Sequence, residues 1–254
     1  MKRFFSIICT VLNEESNIAS FINNVLSQSE TSFDLIIIDG GSTDNTLDIL
    51  SRYTAANIVF RSSPGASIFA AWNQGLKLSH GEWIVFLGAD DRFSAADVLS
   101  NIRRDIEASD IIEGVLCYPV NWRGRYYSKI IRPRELSRRT LEGFSMPLAF
   151  PGAVFSRGTL ASVNFFRETF RLAGDYDLVF RLIMADASFR SQTKVNIIMQ
   201  GTGVTSTWRG QFTSNVEVIK IRSSLMISPV IPPWGYLIII SSFFKLLVAL
   251  LARR

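Results

Sequence analysis

Two adjacent carboxylates, Asp90 and Asp91, follow directly on an apolar run at residues 83–87. The run predicts a buried strand, and open α/β sheets bind their ligands at the carboxyl ends of the strands. Neighbouring carboxylates repel each other unless a cation lies beside them, and Mg²⁺ or Mn²⁺ is commonly shared with substrate phosphates. The pair therefore predicts a divalent-metal site, with an acidic cap of a helix near residues 94–97 as the alternative.

Two further carboxylates stand at the ends of predicted elements. Asp39 ends an apolar run and precedes Gly40-Gly41-Ser42. From there it can accept hydrogen bonds from a nucleotide base or ribose, or simply close an Asx turn. Asp175 stands where a helix with an apolar face begins, and the helix dipole favours an ionised carboxylate at that end. It is a candidate general base, with a plain helix cap as the alternative.

Four β-then-α units position the first three of these carboxylates. Apolar runs predict strands at 4–11, 33–38, 57–60 and 83–87. Apolar residues at helical spacing follow each of the first three runs, so the pattern predicts a parallel sheet with right-handed crossovers. Thr10, Asp39 and Asp90 then share one sheet edge. Neither of the first two turns carries the glycine pattern of a dinucleotide fold or a P-loop, which argues against a dehydrogenase and an NTPase.

The second half of the chain is less regular. Residues 110–120 and 125–131 predict two strands joined by a hairpin turn at 121–124, and a proline-rich loop leads into a strand ending at 155. Basic residues crowd the hairpin region: Arg123, Arg125, Lys129, Arg132, Arg134, Arg138 and Arg139. Such a patch suits an anionic lipid head, a diphosphate or nucleic acid, or is a solvated face. No nucleic-acid-binding motif accompanies it, so no nucleic acid partner is expected.

Length and composition limit the broad class. The chain has 254 residues, 48% of them hydrophobic, and a net charge of +5 from 27 Lys and Arg against 22 Asp and Glu. This fits one large domain, or one domain with an appendage, that buries an ample core. Cys9 and Cys117 lie in apolar runs without a CxxC pattern, which favours a reducing compartment. The first residues lack the pattern of a signal peptide.

The C-terminal segment is apolar. Prolines interrupt residues 229–233, and residues 234–251 are almost wholly apolar. As a helix, the 16 residues 236–251 span about 24 Å, short of a hydrocarbon core near 30 Å. The segment therefore predicts a helix lying in a membrane interface, with a buried packing helix as the alternative. We expect a cytoplasmic protein, peripheral on the inner face of the cytoplasmic membrane, with residues 229–254 as its membrane-associating tail.

Four blocks in register resemble the family 2 glycosyltransferases of the GT-A fold, and most closely the bacterial enzymes that build exopolysaccharide or colanic-acid-type repeat units. The blocks are Thr10-Val11-Leu12-Asn13-Glu14-Glu15, Asp39-Gly40-Gly41-Ser42-Thr43-Asp44, Asn73-Gln74-Gly75 with Leu87-Gly88-Ala89-Asp90-Asp91, and Ala173-Gly174-Asp175-Tyr176-Asp177. The resemblance implies an α/β GT-A fold with a mostly parallel nucleotide-binding sheet flanked by helices, a small acceptor-side extension and a C-terminal apolar helix. It places the glycosyltransferase domain at 1–228, with a nucleotide-binding half at about 1–118 and an acceptor-side half at about 119–228.

The resemblance also implies roles for single residues. The nucleotide-binding residues would be Thr10, Asn13, Glu14, Asp39, Gly41, Ser42 and Asp90. Asp90 falls on the metal-ligating position of the family's DxD motif, and Asp91 follows it as the second metal-site carboxylate. Asp175 falls on the catalytic base. The cofactor would be Mg²⁺ or Mn²⁺.

The implied reaction is the inverting transfer of one hexosyl group from a nucleotide-diphosphate sugar to a glycan or a polyprenyl-diphosphate-linked acceptor, in surface polysaccharide biosynthesis. The sequence departs from the family pattern: Gly88 replaces the first Asp of DxD, and Gly174 stands where many relatives have Glu. In addition, the loop at 63–67 lacks the usual acidic residue, and no histidine follows His80. A sugar-1-phosphate nucleotidyltransferase is one alternative, although it needs a glycine- and arginine-rich loop after the first strand. A non-catalytic nucleotide-sugar- or glycan-binding relative is the other, and Gly88 is the reason to consider it.

Overall fold

A computed structural model describes residues 3–109, 113–124, 126–137, 145–200 and 207–225. The strands are β1 (Arg3–Val11), β2 (Phe33–Asp39), β3 (Ile58–Ser62), β4 (Gly81–Gly88), β5 (Arg92–Phe93), β6 (Val115–Cys117), β7 (Val120–Arg123), β8 (Ser128–Ile131), β9 (Ala153–Ser156), β10 (Phe189–Ser191) and β11 (Ile197–Gln200). The helices are α1 (Ile18–Leu26), α2 (Thr46–Leu50), α3 (Ile68–Leu78), α4 (Val98–Ala108), α5 (Arg157–Ser162), α6 (Gly174–Met184) and α7 (Trp208–Ser224).

Seven strands form the main sheet in the order β10-β6-β9-β4-β1-β2-β3. Strand β1 pairs in parallel with β2 and β4, and β2 pairs in parallel with β3. Strand β9 is antiparallel to both of its neighbours, β4 and β6. The mostly parallel α/β sheet that the sequence predicts is therefore confirmed. A smaller sheet has the order β5-β11-β7-β8.

The register brings three strand ends to one edge. Val11 of β1 is opposite Asp39 of β2, and Thr10 is opposite Gly88 of β4. The predicted meeting of the β1, β2 and β4 ends is therefore observed. All seven residues of β2 are buried, as expected of a central parallel strand with helices on both faces.

Two apolar cores lie on opposite faces of the main sheet. Successive residues of a strand point to opposite faces, so Ile7 and Ile8 enter different cores. The core that contains Ile7 is completed by the apolar faces of α1 and α4. The core that contains Ile8 is completed by residues of α3, α6 and α7. Helices α6 and α7 are thereby packed against the same sheet that carries the strand ends.

The hairpin is placed differently from the prediction. The single strand predicted at 110–120 is interrupted at Tyr118-Pro119: β6 joins the main sheet, and β7 joins the smaller one. The predicted turn at 121–124 is wrong, because 121–123 are strand residues and Gly124 donates its N–H to the carbonyl of Tyr127. The strands β7 and β8 therefore end and begin at Arg123 and Ser128, later in the chain than predicted.

The predicted halves share one sheet, since β9 and β10 of the acceptor-side half belong to the seven-stranded sheet. The predicted C-terminal apolar helix at 229–254 lies outside the described residues, as do Arg125, Arg138 and Arg139 of the basic patch. Within the described ranges, no helix combines the length and the apolarity needed to cross a membrane.

Candidate functional site

Hydrogen bonds join the loops that follow β1 and β2. The Asn13 N–H donates to Ser42 Oγ at 2.9 Å, and Asn13 Oδ1 accepts from the Thr43 N–H at 2.8 Å. The Glu14 N–H donates to Thr46 Oγ1 at 2.8 Å. Asn13 adopts a φ of 58°, a left-handed conformation that asparagine tolerates better than most residues. Asn13, Glu14 and Ser42, all predicted nucleotide-binding residues, therefore help to build the sheet edge itself.

Asp39 is fully buried at the end of β2. Its carboxylate accepts from the Gly41 N–H at 2.9 Å, the Ser42 N–H at 3.1 Å and Ser62 Oγ at 3.2 Å. Gly41 has a φ of +102°, which a side chain at this position would oppose. These bonds form the Asx turn that the sequence left open as an alternative. A contact of Asp39 with a base or ribose stays a prediction.

A cavity of about 360 Å³, here called the edge cavity, opens where β1 and β4 end. Its lining residues are Thr10, Val11, Leu12, Glu14, Ile38, Gly40, Ala66, Ile68, Ala71, Trp72, Gly88, Ala89, Asp90 and Leu172. It thus brings together Thr10, Glu14 and Asp90 among the predicted nucleotide-binding residues. The others, Asn13, Asp39, Gly41 and Ser42, do not line it within the described part of the chain.

Trp72, which lines the edge cavity, belongs to an aromatic cluster. The Trp72 ring stacks on Phe150 at 5.4 Å between centroids and lies against Phe86 at 5.1 Å. Trp72 is one of the apolar residues at helical spacing after the third predicted strand, and this pattern predicts a core position rather than a place at the cavity. Its position directly before Asn73-Gln74-Gly75, one of the blocks that resemble the family, was the available indication that it lies near the site.

Asp90 and Asp91 differ in their surroundings. Asp90 is partly buried and lines the edge cavity, whereas Asp91 is 3% exposed. Asp91 Oδ2 accepts from the Gly88 N–H at 2.8 Å. Burial, together with the nearby charge of Asp90, raises the pKa of Asp91 to about 7. Neither residue caps a helix, because β5 follows them and α4 begins only at Val98.

The carboxylate pair fits a divalent cation. Asp91 Oδ1 is buried and has no hydrogen-bond partner among the described residues, which is the condition that a cation or a water relieves. The described residues contain no cluster of three or more metal-binding side chains. Mg²⁺ commonly takes one or two protein carboxylates and completes its shell with water and substrate phosphates. Asp90 and Asp91 match that donor set.

Gly88 stands at the position of the missing first Asp. A Cβ added there would lie 2.7 Å from Asp90 Oδ1 and 3.4 Å from Asp91 Oδ2. The space that an aspartate would fill is therefore already occupied by the carboxylates of the next residues. Gly88 is therefore compatible with a carboxylate pair at this edge. Here the pair is formed by the adjacent residues Asp90 and Asp91, instead of by the first and third residues of DxD.

Asp175 is the second residue of α6. Ala173 occupies the N-cap position, and Asp175 Oδ1 accepts from the Tyr176 N–H at 2.8 Å, so Asp175 is not the helix cap. Burial raises the pKa of this carboxyl to about 6, and the negative charge of Glu217 adds to the effect. From the sequence, we expected the helix dipole to keep Asp175 ionised. In the structure, burial acts in the opposite direction and favours the protonated carboxyl. A pKa near 6 suits a general base at neutral pH.

The Phe69 ring explains why glycine stands at position 174, where many relatives have Glu. A Cβ added at Gly174 would lie 2.6 Å from Cδ2 of Phe69, which is 2% exposed. The Phe69 ring of α3 fills the space into which a side chain at 174 would extend. The close approach joins α3, which lines the edge cavity, to the start of α6.

Asp177 lies in a buried network of ion pairs. Its side chain is fully buried, and its carboxylate pairs with Arg181 Nε at 2.7 Å and Arg167 Nη1 at 3.4 Å. Arg181 also donates to the carbonyls of Val163 and Phe165. The two aspartates of this block therefore have different contacts.

A second cavity of about 890 Å³, here called the side cavity, adjoins the first. The two cavities share the lining residues Ala66, Ile68 and Leu172. Arg171 and Arg209 are among the residues that line the side cavity. The sequence singled out neither arginine, and it also missed the buried Glu217 of α7.

Comparisons with known proteins find relatives of this chain in sequence and in fold. The family model described as Glycosyl transferase family 2 matches residues 6–163, more than half of the chain. A Mycobacterium bovis protein named PGL/p-HBAD biosynthesis glycosyltransferase is 28% identical over 186 residues, which cover 70% of this chain and 68% of that protein.

Two solved structures show the same fold. The mannosyltransferase PcManGT from Pyrobaculum calidifontis, in complex with GDP-Man and Mn²⁺, matches with a TM-score of 0.67 and 15% identity, over 100% of this chain and 79% of that chain. S. aureus TarS 1-349 in complex with UDP-GlcNAc matches with a TM-score of 0.63 and 18% identity, over 88% and 71%. In another crystal structure of S. aureus TarS 1-349, the match covers 65% of that chain.

Proposed function

The chain belongs to glycosyl transferase family 2, and on that premise we propose that it transfers one hexosyl group from a nucleotide-diphosphate sugar to a glycan or lipid-linked glycan, with inversion at the anomeric carbon. The observation that carries the proposal is the edge cavity. It combines Thr10, Glu14 and Asp90, and its wall residue Leu172 lies three residues before Asp175. Candidate donor-binding groups thus line one space, and the candidate base follows one of its wall residues by three positions in the chain.

The residues of this chain divide the reaction between them. The edge cavity binds the nucleotide. Asp90 and Asp91 would hold a Mg²⁺ or Mn²⁺ ion, which would supply positive charge to offset the charge that develops on the departing nucleotide diphosphate. Asp175 removes the proton of the acceptor hydroxyl while that oxygen bonds to the anomeric carbon from the face opposite the leaving group. The glycosidic bond forms as the sugar–phosphate bond breaks, and the proton remains on Asp175 until solvent takes it.

Three relatives support the choice of substrates. The matched structures are complexes with GDP-Man and UDP-GlcNAc, both nucleotide-diphosphate sugars. The mycobacterial relative is named for PGL/p-HBAD biosynthesis. We therefore propose a role in the synthesis of surface polysaccharide or of a related glycoconjugate.

The experiment that tests the proposal is nucleotide-diphosphate release from a panel of UDP-, GDP- and dTDP-sugars, with membrane extract as acceptor. We expect release from one donor only, and a strong fall when EDTA removes divalent metal. The anomeric configuration of the isolated product, read from its NMR coupling constants, tests inversion. Failure of every donor, with nucleotide binding intact, contradicts the transferase and favours a non-catalytic nucleotide-sugar-binding protein, the alternative suggested by Gly88.

A nucleotidyltransferase remains the less favoured enzyme class. In the structure, the loop after β1 is bonded through Asn13 and Glu14 to the loop after β2. It contains no glycine or arginine with which to cradle a triphosphate. Pyrophosphate release from a nucleoside triphosphate and a sugar phosphate would support that class instead.

We expect a Gly88→Ala variant to lose roughly tenfold in kcat/KM, because small displacements of binding groups are costly to catalysis. The added methyl group would force Asp90 Oδ1, 2.7 Å away, out of its position. Melting temperatures should change little, since the displaced group is the end of a flexible side chain. Glu107→Gln on α4 is the control, because the Glu107 side chain is 56% exposed and lines neither cavity. Equal activity losses in the two variants would contradict the explanation.

We also propose that the protein works as a peripheral protein on the inner face of the cytoplasmic membrane. Beside the apolar tail, support comes from the exposed side chains of the β7–β8 hairpin. Tyr126 is 86% exposed, Tyr127 61% and Ile130 46%. The Lys129 ammonium lies 5.3 Å from the Trp122 ring. Aromatic residues beside basic ones are typical of contacts with an anionic membrane interface.

The hairpin contact is testable with vesicles. We expect a Tyr126→Ser/Tyr127→Ser variant to bind vesicles that contain anionic lipid roughly tenfold more weakly than the unmodified protein does, as measured by sedimentation. Val59→Ser/Phe60→Ser is the matched control, because these side chains of the edge strand β3 are 37% and 43% exposed. Similar losses in both variants, or none in the hairpin variant, would contradict the proposal.

A further inference from the structure

A carboxylate from α7 binds the segment that leads into α6. Glu217 is 8% exposed. Its Oε1 accepts from the Arg171 N–H at 2.9 Å, and its Oε2 accepts from the N–H groups of Leu172 and Ala173, both at 2.9 Å. Three successive backbone donors thus converge on one side chain. A carboxylate with three N–H partners makes strong, charge-assisted hydrogen bonds.

The segment held in this way is the connection between the cavities and Asp175. Leu172 lines both cavities, and Arg171 lines the side cavity. Ala173 occupies the N-cap position of α6, two residues before Asp175. A shift of this short segment would therefore move a cavity wall and the candidate base together.

Helix α7 is a firm support for such a bond. Its residues Val218 and Ile221 are buried in the core that also contains residues of α6. Arg222, 3% exposed, donates to the Tyr176 hydroxyl at 3.2 Å. The carboxylate of Glu217 is therefore fixed relative to the sheet.

We propose that Glu217 is a positioning residue, which holds the 171–173 segment so that Asp175 faces the acceptor hydroxyl. The inference rests on the proposed function, in which Asp175 is the base. Helices α6 and α7 both lie beyond the residues that the family model matches. The role follows from the contacts of this chain alone.

The charges around Asp175 give the proposal a second readout. Glu217 is the charged group that faces it from α7, and its negative charge adds to the burial that raises the pKa of Asp175. On α6 itself, Asp177 is paired with Arg181 and Arg167. Helix α3 faces this helix start with the Phe69 ring. Removing the charge of Glu217 should therefore lower the pKa of Asp175.

The test compares Glu217→Gln with Tyr176→Phe. In Glu217→Gln the side chain keeps its length but loses its charge and one acceptor oxygen. We expect kcat to fall roughly 10- to 100-fold with donor KM little changed, as for a displaced catalytic group. The acid limb of the pH profile should move to lower pH. Tyr176→Phe removes only the Arg222 hydrogen bond at the same interface and keeps the stacking on Phe180, so its kcat should stay within about threefold of wild type.

The outcomes separate the two proposals. An active wild type with unchanged kcat and acid limb in Glu217→Gln overturns the positioning role, and so does an equal loss in Tyr176→Phe. A wild type that releases no nucleotide from any donor overturns the proposed function. If Glu217→Gln does not fold, Glu217→Asp takes its place, and amide hydrogen exchange is followed in the wild type. Slow exchange of the 171–173 N–H groups is expected, and exchange at the rate of an open loop overturns the inference.

Discussion

An Asp175→Asn variant is expected to lose about 10²- to 10⁴-fold in kcat, the usual contribution of a general base. Asparagine has the shape of aspartate and keeps an oxygen that can accept from the Tyr176 N–H, so the start of α6 should be preserved. It cannot take up the proton of the acceptor hydroxyl. Donor KM should stay within about threefold, since Asp175 is not among the residues that line the edge cavity in the described part of the chain.

The pH profile of the wild type provides a second measurement of the same group. Burial raises the pKa of Asp175 to about 6, and the base acts only when deprotonated. With metal ion and donor saturating at every pH, so that protonation of Asp91 does not limit metal binding, we therefore expect kcat to be constant above this pH and to fall tenfold per pH unit well below it. The residual activity of Asp175→Asn should lack this limb. Glu107→Gln, an exposed change on α4, is the control and should leave both kcat and the profile unchanged.

The ionisation of Asp175 should also change the stability of the fold in a predictable direction. A carboxyl whose pKa is higher in the folded state than in the unfolded state binds its proton more tightly when folded. Its ionisation then destabilises the fold as pH rises from the ordinary aspartate range, near 4, to about 6 and above. Asp175→Asn should therefore melt at the same temperature as the wild type, or higher, at pH 8. A large fall in melting temperature would mean that Asp175 supports the fold, contrary to its assignment as the base.

The sequence predicted the sheet edge well because the pattern there is local. Strands buried on both faces read as continuous apolar runs, so the ends of β1, β2 and β4 were visible before any pairing was known. The antiparallel position of β9 and the division of 110–120 into β6 and β7 were not predicted. Both parts of that run are buried, and only pairing with distant strands distinguishes the sheet that each joins.

The candidate site was predictable to a similar degree. Asp90 and Thr10 line the cavity, as expected from their strand ends. Glu217 gave no signal, because its partners lie 44 to 46 residues earlier in the chain and no local pattern relates them. In the sequence, the glycines at 88 and 174 stand where the family pattern has acidic residues, and no local pattern explains the replacement. Their reasons appear only in three dimensions, where neighbouring carboxylates and the Phe69 ring fill the space.

The block that contains Asp175 also contains Asp177. We expect removal of Asp177 to lower stability, whereas removal of Asp175 should lower catalysis. Asp177 is fully buried between Arg181 and Arg167, and Arg181 is itself 9% exposed. The guanidinium of Arg181 extends the network to the carbonyls of Val163 and Phe165. Phe165 has a φ of 57°, a strained value for a residue with a side chain, so this turn depends on its tertiary contacts.

Removing Asp177 should therefore be costly to the fold. An Asp177→Ala variant leaves the buried Arg181 without its carboxylate, and we expect the free energy of unfolding to fall by about 3–5 kcal/mol. Urea denaturation followed by circular dichroism measures this loss. Below the unfolding transition, kcat per folded molecule should fall far less than in Asp175→Asn. A stable Asp177→Ala protein that is as inactive as Asp175→Asn would show that the chemistry requires Asp177, and the assignment of the two aspartates would have to be reversed.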